Sequence, residues 1–274
     1  MQIREYSLPA GWYPRDPAEI TRFLSDFNRS GPLSRAAVSP HAGWYYSGRV
    51  AARAVSSLEP EADTVVVLGG HLSAASPPLF AMEDAVKTPF GVMPIDAELR
   101  SLLLNELGGK EDSFRDNTVE VLLPMVRFFF PQSKLLWLRL PAGIASLKTG
   151  KTISQTAAKL KRKVNVLSST DLTHYGHNYG FSPKGTGEEA LRWVREVNDA
   201  NFIHALEAGN SDEVLHHAQE DFSACSAGAV LGAMGFAEAE NLGSARLLEY
   251  ATSADVQTDI PDFFVGYAAL IFTN

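Results

Sequence analysis

The feature that most restricts the fold of this chain is a set of short apolar runs too uniformly hydrophobic to keep one face wet. Thr64-Val65-Val66-Val67-Leu68 ends abruptly at Gly69-Gly70. Leu135 to Leu140, Val164 to Leu167 and Val265 to Phe272 have the same character, and Arg35 to Val38 and Leu247 to Ala251 are weaker versions of it. Strands that are apolar on both faces belong inside a mostly parallel sheet covered by helices.

The segments between these runs carry helical spacing. Ala18 to Phe27 puts Ile20, Phe23, Leu24 and Phe27 on one side. Further helices are predicted over Arg49 to Leu58, after a Ser47-Gly48 turn, over Asp96 to Leu107 with a capping aspartate, and over Ile144 to Lys161. Glu188 to Ala208 reads as one helix and Ser211 to Gln219 as another, capped by Ser211. Cys225 to Ala237 reads as a buried helix rich in small residues. Strands alternating with helices predict an α/β fold, with a mostly parallel or mixed central sheet flanked by helices on both faces. Pro77-Pro78 and Ser182-Pro183-Lys184-Gly185 read as loops on one body, so residues 1–274 are predicted to form a single domain. A chain of this length buries roughly three quarters of its unfolded surface and needs no disulfide to hold a core.

Charge narrows the partners. The formal net charge is -8, which argues against broad attraction to nucleic acid or to an anionic membrane. The basic run Lys159-Leu160-Lys161-Arg162-Lys163 closes a predicted helix, where cations complement the helix dipole. No stretch approaches the roughly 20 apolar residues of a membrane span, and Met1 to Pro9 has no signal-like apolar run. The one cysteine, Cys225, cannot form an intrachain disulfide, which fits a reducing cytoplasm.

The chemistry-bearing residues follow strands. His41 lies in Val38-Ser39-Pro40-His41-Ala42-Gly43, where Pro40 cannot continue a ladder. His71 follows Leu68-Gly69-Gly70, and His174 lies in Ser168-Ser169-Thr170-Asp171-Leu172-Thr173-His174-Tyr175-Gly176. Carboxyl ends of strands are where α/β folds build their sites. One such histidine is most simply a surface or structural residue. Three of them suit a first-row transition metal or an acid–base site. His177, His204, His216 and His217 carry no assigned role.

Other positions stay open at this level. Cys225 is either a small buried hydrophobe or, beside two imidazoles, a soft thiolate ligand. Asp171 either orients a neighbouring histidine or accepts a proton, or else caps a turn or helix. Glu120, in the apolar segment Val119 to Pro124, needs a partner if buried; it either positions an imidazole or pairs with Arg115 or Arg127. Trp44, Tyr45 and Tyr46 either line a pocket beside His41 or pack the core. Phosphate loops, dinucleotide fingerprints, the H-E-x-x-H motif and the G-x-S-x-G elbow are all absent. A single cysteine rules out a multi-cysteine zinc or iron–sulfur site supplied by this chain alone.

Several ordered motifs together resemble the Memo family, also called AmmeMemoRadiSam system protein B. They are Pro9-Ala10-Gly11-Trp12-Tyr13-Pro14, Ser39-Pro40-His41-Ala42-Gly43-Trp44-Tyr45-Tyr46-Ser47-Gly48, Leu68-Gly69-Gly70-His71, Asp116-Asn117-Thr118-Val119-Glu120 through Leu123-Pro124, Ser168 to Gly176, Tyr250-Ala251-Thr252-Ser253 and Val265-Gly266-Tyr267-Ala268-Ala269. The resemblance runs from about residue 9 to the C-terminal end. It implies a fold similar to that of the class III extradiol dioxygenases of the LigB type. It also implies a mononuclear metal site with His41, His71 and Cys225 as ligands. Iron, as Fe2+, is the implied metal, with copper or zinc as alternatives. His174 is then the expected acid–base residue, with Asp171 beside it, while Tyr45, Asn117 and Glu120 are the expected substrate contacts. The implied activity is redox or dioxygenase-like chemistry on an unidentified small molecule or peptide, or else metal carriage or partner binding in the same pocket. Family association adds a radical-SAM enzyme and an AMMECR1-like protein as expected partners. Two departures stand out: Asn117 occupies a position that is histidine in the motif, and Cys225-Ser226-Ala227-Gly228-Ala229 replaces C-G-x-x-P.

Overall fold

In the computed structural model, which describes residues 1–27, 29 and 31–274, the apolar runs become strands of one sheet. A small sheet joins β1 (Ile3–Arg4), β5 (Ala85–Thr88) and β6 (Gly91–Pro94). The main sheet holds the other nine: β2 (Ala36–Ser39), β3 (Thr64–Leu72), β4 (Leu79–Phe80), β7 (Lys110–Glu111), β8 (Lys134–Pro141), β9 (Val164–Ser169), β10 (His174–Tyr175), β11 (Ala245–Thr252) and β12 (Phe264–Phe272). Their order is β10-β12-β2-β9-β3-β8-β4-β7, with β11 paired to β12. The centre, β2-β9-β3-β8, is parallel; β12 and β4 join it antiparallel, so the sheet is mixed.

Alternation along these strands builds two cores. Val66, Leu68, Leu136, Leu138 and Val166 face α3 (Ala97–Leu107), α6 (Ser146–Lys159), α8 (Asp199–Glu207), α9 (Ser211–Glu220) and α10 (Ala227–Glu240). Val65, Val67, Leu135, Trp137 and Leu167 face α1 (Pro17–Leu24), α2 (Trp44–Ser56) and α5 (Leu123–Phe129). Each such side chain, fully buried, adds about 1.5–3 kcal/mol. Two further helices are short: α4 (Asn117–Glu120) and α7 (Glu188–Trp193).

Three expected boundaries move, each for a physical reason. Helix α2 begins at Trp44, so Ser47-Gly48 is inside it and not a turn before it. The Trp44 indole, packed on Phe23 and donating to the Val121 carbonyl at 2.9 Å, fixes that start against glycine's poor helix propensity. Helix α9 is capped by Asn210, whose side chain accepts from Glu213 N, and not by Ser211. The single helix expected over Glu188 to Ala208 is interrupted by a π-helical turn at Val194–Asn198. The short strands β4 and β7 and the small sheet carry too few residues for any periodicity to show.

The π turn re-aims two polar side chains inward. Asn198 donates to the Thr173 hydroxyl and to the Asp221 carbonyl, both at 2.9 Å. Asp199, fully buried, accepts from the Thr173 amide at 3.0 Å, from the Thr173 hydroxyl, and from the Tyr250 hydroxyl at 2.7 Å. This network holds the loop that carries His174. Burial pushes the Asp199 carboxyl up to about 6, against the hydrogen bonds that favour its ionised form. A carboxyl raised when folded favours the native state while protonated. That contribution is complete below the unfolded value near 4 and is lost as pH rises through about 6. Asp199→Asn is therefore expected to be relatively more stable at pH 7 than at pH 4 when compared with the parent chain. Denaturant melts at both pH values should show the difference shifting by up to about 3 kcal/mol.

Candidate metal centre

Parallel register brings the candidate residues to one edge. Ser39 of β2 lies opposite Ser169 of β9, and Leu68 of β3 lies opposite Ser168. The chain leaving each strand therefore emerges at the same level, carrying His41, His71 and the Asp171–His174 loop. Backbone bonds then knot these ends together. The His41 amide donates to Asp171 Oδ1 at 2.7 Å, the Cys225 amide donates to the Asp171 carbonyl at 3.2 Å, and the Ser226 amide donates to Thr170 Oγ1 at 3.1 Å.

The two glycines before His71 permit the last approach. A Cβ on Gly69 would overlap Thr118 Oγ1, and one on Gly70 would overlap the Cβ and Oγ of Ser226. Their absence lets α4 and the start of α10 press against the end of β3. His71 itself sits in the left-handed region at φ 57°, an uncommon conformation for a non-glycine residue.

Cys225 Sγ lies 3.2 Å from His41 Nε2, and a donor atom of His71 completes a group in which all ligand atoms are within 4.8 Å of one another. The imidazoles meet edge to face with ring centres 5.0 Å apart. Each ring is held through its other nitrogen. His41 Nδ1 meets Ser169 Oγ at 2.6 Å, and His71 Nδ1 meets Asp116 Oδ2 at 3.0 Å. With Nδ1 carrying the proton in both, each Nε2 presents a lone pair to the gap. Two imidazole nitrogens and one sulfur at this spread suit a transition ion bound at about 2.0–2.3 Å.

Electrostatics favour a cation in that gap. Burial would raise the Cys225 thiol, but His41 and His71 outweigh it and hold the thiol well below its usual range. Burial would also lower both imidazoles. For His41, the charges of Asp171 and Cys225 reverse that and raise it; for His71, the Asp116 and Cys225 hydrogen bonds carry it up to about 10. With no ion present, protons on the imidazoles balance the thiolate; an ion that binds takes their place.

A cavity of 670 Å³ opens beside the cluster. His71, Asn117, Asp171 and His174 form its polar side, and Trp12, Tyr46, Tyr179, Phe263 and Tyr267 its aromatic walls. His174 Nδ1 donates to the Leu172 carbonyl at 3.1 Å, which leaves Nε2 as an acceptor. Asp171, 3% exposed, is raised by burial, an effect opposed by His41 and reinforced by Cys225.

A family model described as "Memo-like protein" matches residues 4–271. The chain belongs to the Memo-like family. Curated relatives include a MEMO1 family protein of Methanopyrus kandleri, 27% identical over 98% of each chain. Another, from Methanosarcina mazei, is 30% identical over 99% of each. Among solved structures the chain is similar to an uncharacterized Escherichia coli K12 protein, at TM-score 0.49 and 11% identity, over 85% of this chain and 98% of the other.

This Memo-like chain brings His41, His71 and Cys225 together and places Asp171, His174 and Asn117 around the same cavity. Asn117 donates to the His41 carbonyl at 2.9 Å, so it braces a ligand's backbone. Tyr45 and Glu120 lie elsewhere. Tyr45 is 69% exposed, and its neighbour Tyr46 supplies the cavity wall. Glu120 pairs with neither Arg115 nor Arg127. It accepts from the amides of Ser7 and Leu8, the Ser7 hydroxyl and the Tyr13 hydroxyl, and so pins the N-terminal segment. Sequence reading missed Ser169, Asp116 and Tyr179; of the three aromatics it offered as pocket lining, Tyr46 lines the cavity and Trp44 packs the core. Ser169 had one usable signal, a polar residue closing an apolar strand directly before Asp171. Gly70→Ala is expected to push the start of α10 off β3, cost roughly 1–3 kcal/mol and weaken metal binding; thermal melts and metal titration on the same variant check both.

Proposed function

We propose that the protein is a mononuclear metal protein of redox function, with iron as Fe2+ held by His41, His71 and Cys225. The observation that carries this reading is the meeting of the three donors, within 4.8 Å of one another, at the edge of an aromatic-walled cavity. An iron ion held by these residues would supply redox chemistry to a substrate in the adjoining cavity. Sulfur in place of a carboxylate sets this donor set apart from the two-histidine, one-carboxylate pattern of non-haem oxygenases.

The chain's own residues define the remaining roles. Trp12, Tyr46, Tyr179, Phe263 and Tyr267 offer aromatic faces to a small organic substrate. His174, with Nδ1 tied to Leu172, takes or gives a proton through Nε2. Asp171 fixes the His41 backbone by accepting from its amide. Asn117 cannot exchange protons near neutral pH, so the acid–base work falls to His174, with Asp171 beside it. No helix among the described residues is long and apolar enough to cross a membrane. A thiolate centre that oxidation would disable fits the reducing cytoplasm, where we place the protein.

Metal analysis of protein purified without chelator should find about one iron per chain, lost in His41→Ala and in Cys225→Ser. Absence of bound metal, or zinc alone with no oxygen uptake on any reducing substrate, would overturn the proposal. His174→Gln should keep the iron and lower turnover about 10²–10⁴-fold, as followed by an oxygen electrode.

A further inference from the structure

The ligands differ in how they are held. His41 is 1% exposed and enclosed on all sides, whereas the His71 side chain is 34% exposed at the cavity mouth. A half-exposed imidazole on a strand end would be free to rotate away from the cluster. Behind it stands a chain of buried charge. Asp116 Oδ2 contacts both His71 Nδ1, at 3.0 Å, and Arg139 Nη2, at 3.1 Å. Asp116 Oδ1 accepts from the Thr118 amide at 2.8 Å, so the carboxylate cannot turn. Arg139, 4% exposed, also donates through Nη1 to Asp112 at 3.1 Å and through Nε to the Gly70 carbonyl at 3.0 Å. Asp112 is fully buried and accepts from Trp137 Nε1 at 2.8 Å.

We infer that Arg139 and Asp116 are positioning residues for the metal centre. They form a clamp that holds both the ring and the backbone of His71 and so converts a mouth-side histidine into a fixed ligand. The geometry supports this in two ways. Nη2 of the guanidinium holds the carboxylate that holds the ring, and Nε holds the peptide carbonyl directly before His71. Buried arginine between two carboxylates is also costly unless every donor is used, and here Nε, Nη1 and Nη2 each have a partner. His41 is held differently, by a serine hydroxyl on Nδ1 and by Asp171 and Asn117 on its backbone, with no arginine behind them among the described residues. Loosening the clamp therefore acts on one ligand of three. Carboxylates behind ligating histidines typically govern affinity by about 10–100-fold.

The inference rests on the proposed ligand set, and the test separates the two. Co2+ is titrated against a chromophoric chelator into the parent chain, His41→Ala, Asp116→Asn and Arg139→Lys, with melting temperatures measured alongside. Arg139→Lys keeps the buried charge and loses the fork. The expected result is Co2+ binding abolished in His41→Ala and weakened about 10–100-fold in Asp116→Asn and Arg139→Lys. The visible ligand-field bands should change while the sulfur-to-cobalt charge-transfer band persists, because Cys225 stays bound. Affinity within twofold of the parent, with an unchanged spectrum, overturns the clamp. If the parent chain binds no Co2+, the ligand set itself fails. The clamp is then judged by ¹⁵N NMR of the His71 ring, where a protected Nδ1–H in the parent and its loss in Asp116→Asn support it. Identical ring signals in both reject it.

Discussion

The structure around the cavity turns on one electrostatic requirement: a thiolate removed from most of its water must be faced by positive charge. Cys225 Sγ meets that requirement with His41 at 3.2 Å and with His71 across the same gap. Each imidazole needs a fixed orientation to serve, which accounts for Ser169 behind one ring and Asp116 behind the other. Those partners in turn need their own places. Ser169 has one because β9 runs parallel between β2 and β3, and Asp116 because glycine at 69 lets α4 come close. The buried strands, the glycine pair and the charge chain are thus parts of one solution to placing a sulfur beside two nitrogens.

Much of this was visible in the sequence because it has local causes. Runs such as Val65 to Leu68 announce a buried strand by composition alone, and His41, His71 and His174 announce themselves by lying just past strands. The α/β architecture with a mixed sheet follows from the same alternation. The π turn at Val194–Asn198 could not be read, since it answers to Thr173 and Tyr250, which lie far from it in the chain. Glu120 was legible as a buried carboxylate in need of partners. Its actual partners, Ser7, Leu8 and Tyr13, lie more than a hundred residues away and leave no mark on its neighbours. Tyr45 and Tyr46 are adjacent on α2, and helical geometry sends only Tyr46 into the cavity.

The cluster of His41, His71 and Cys225 stands on the geometry of this chain's own residues. Asn117 braces the His41 backbone and adds no titratable group to the cavity. Acid–base capacity on the cavity wall then concentrates in His174 and Asp171. The aromatic walls include no lysine or arginine among the residues lining the cavity, so it offers no permanent cation to a highly charged ligand.

The central claim concerns which atoms surround the ion, so the most direct measurement is X-ray absorption at the iron edge on anaerobically loaded protein. One sulfur and two imidazole nitrogens are expected in the coordination sphere, with the sulfur contribution gone in Cys225→Ser. A sphere built only of oxygen and nitrogen in the parent chain, unaltered by that substitution, would contradict it.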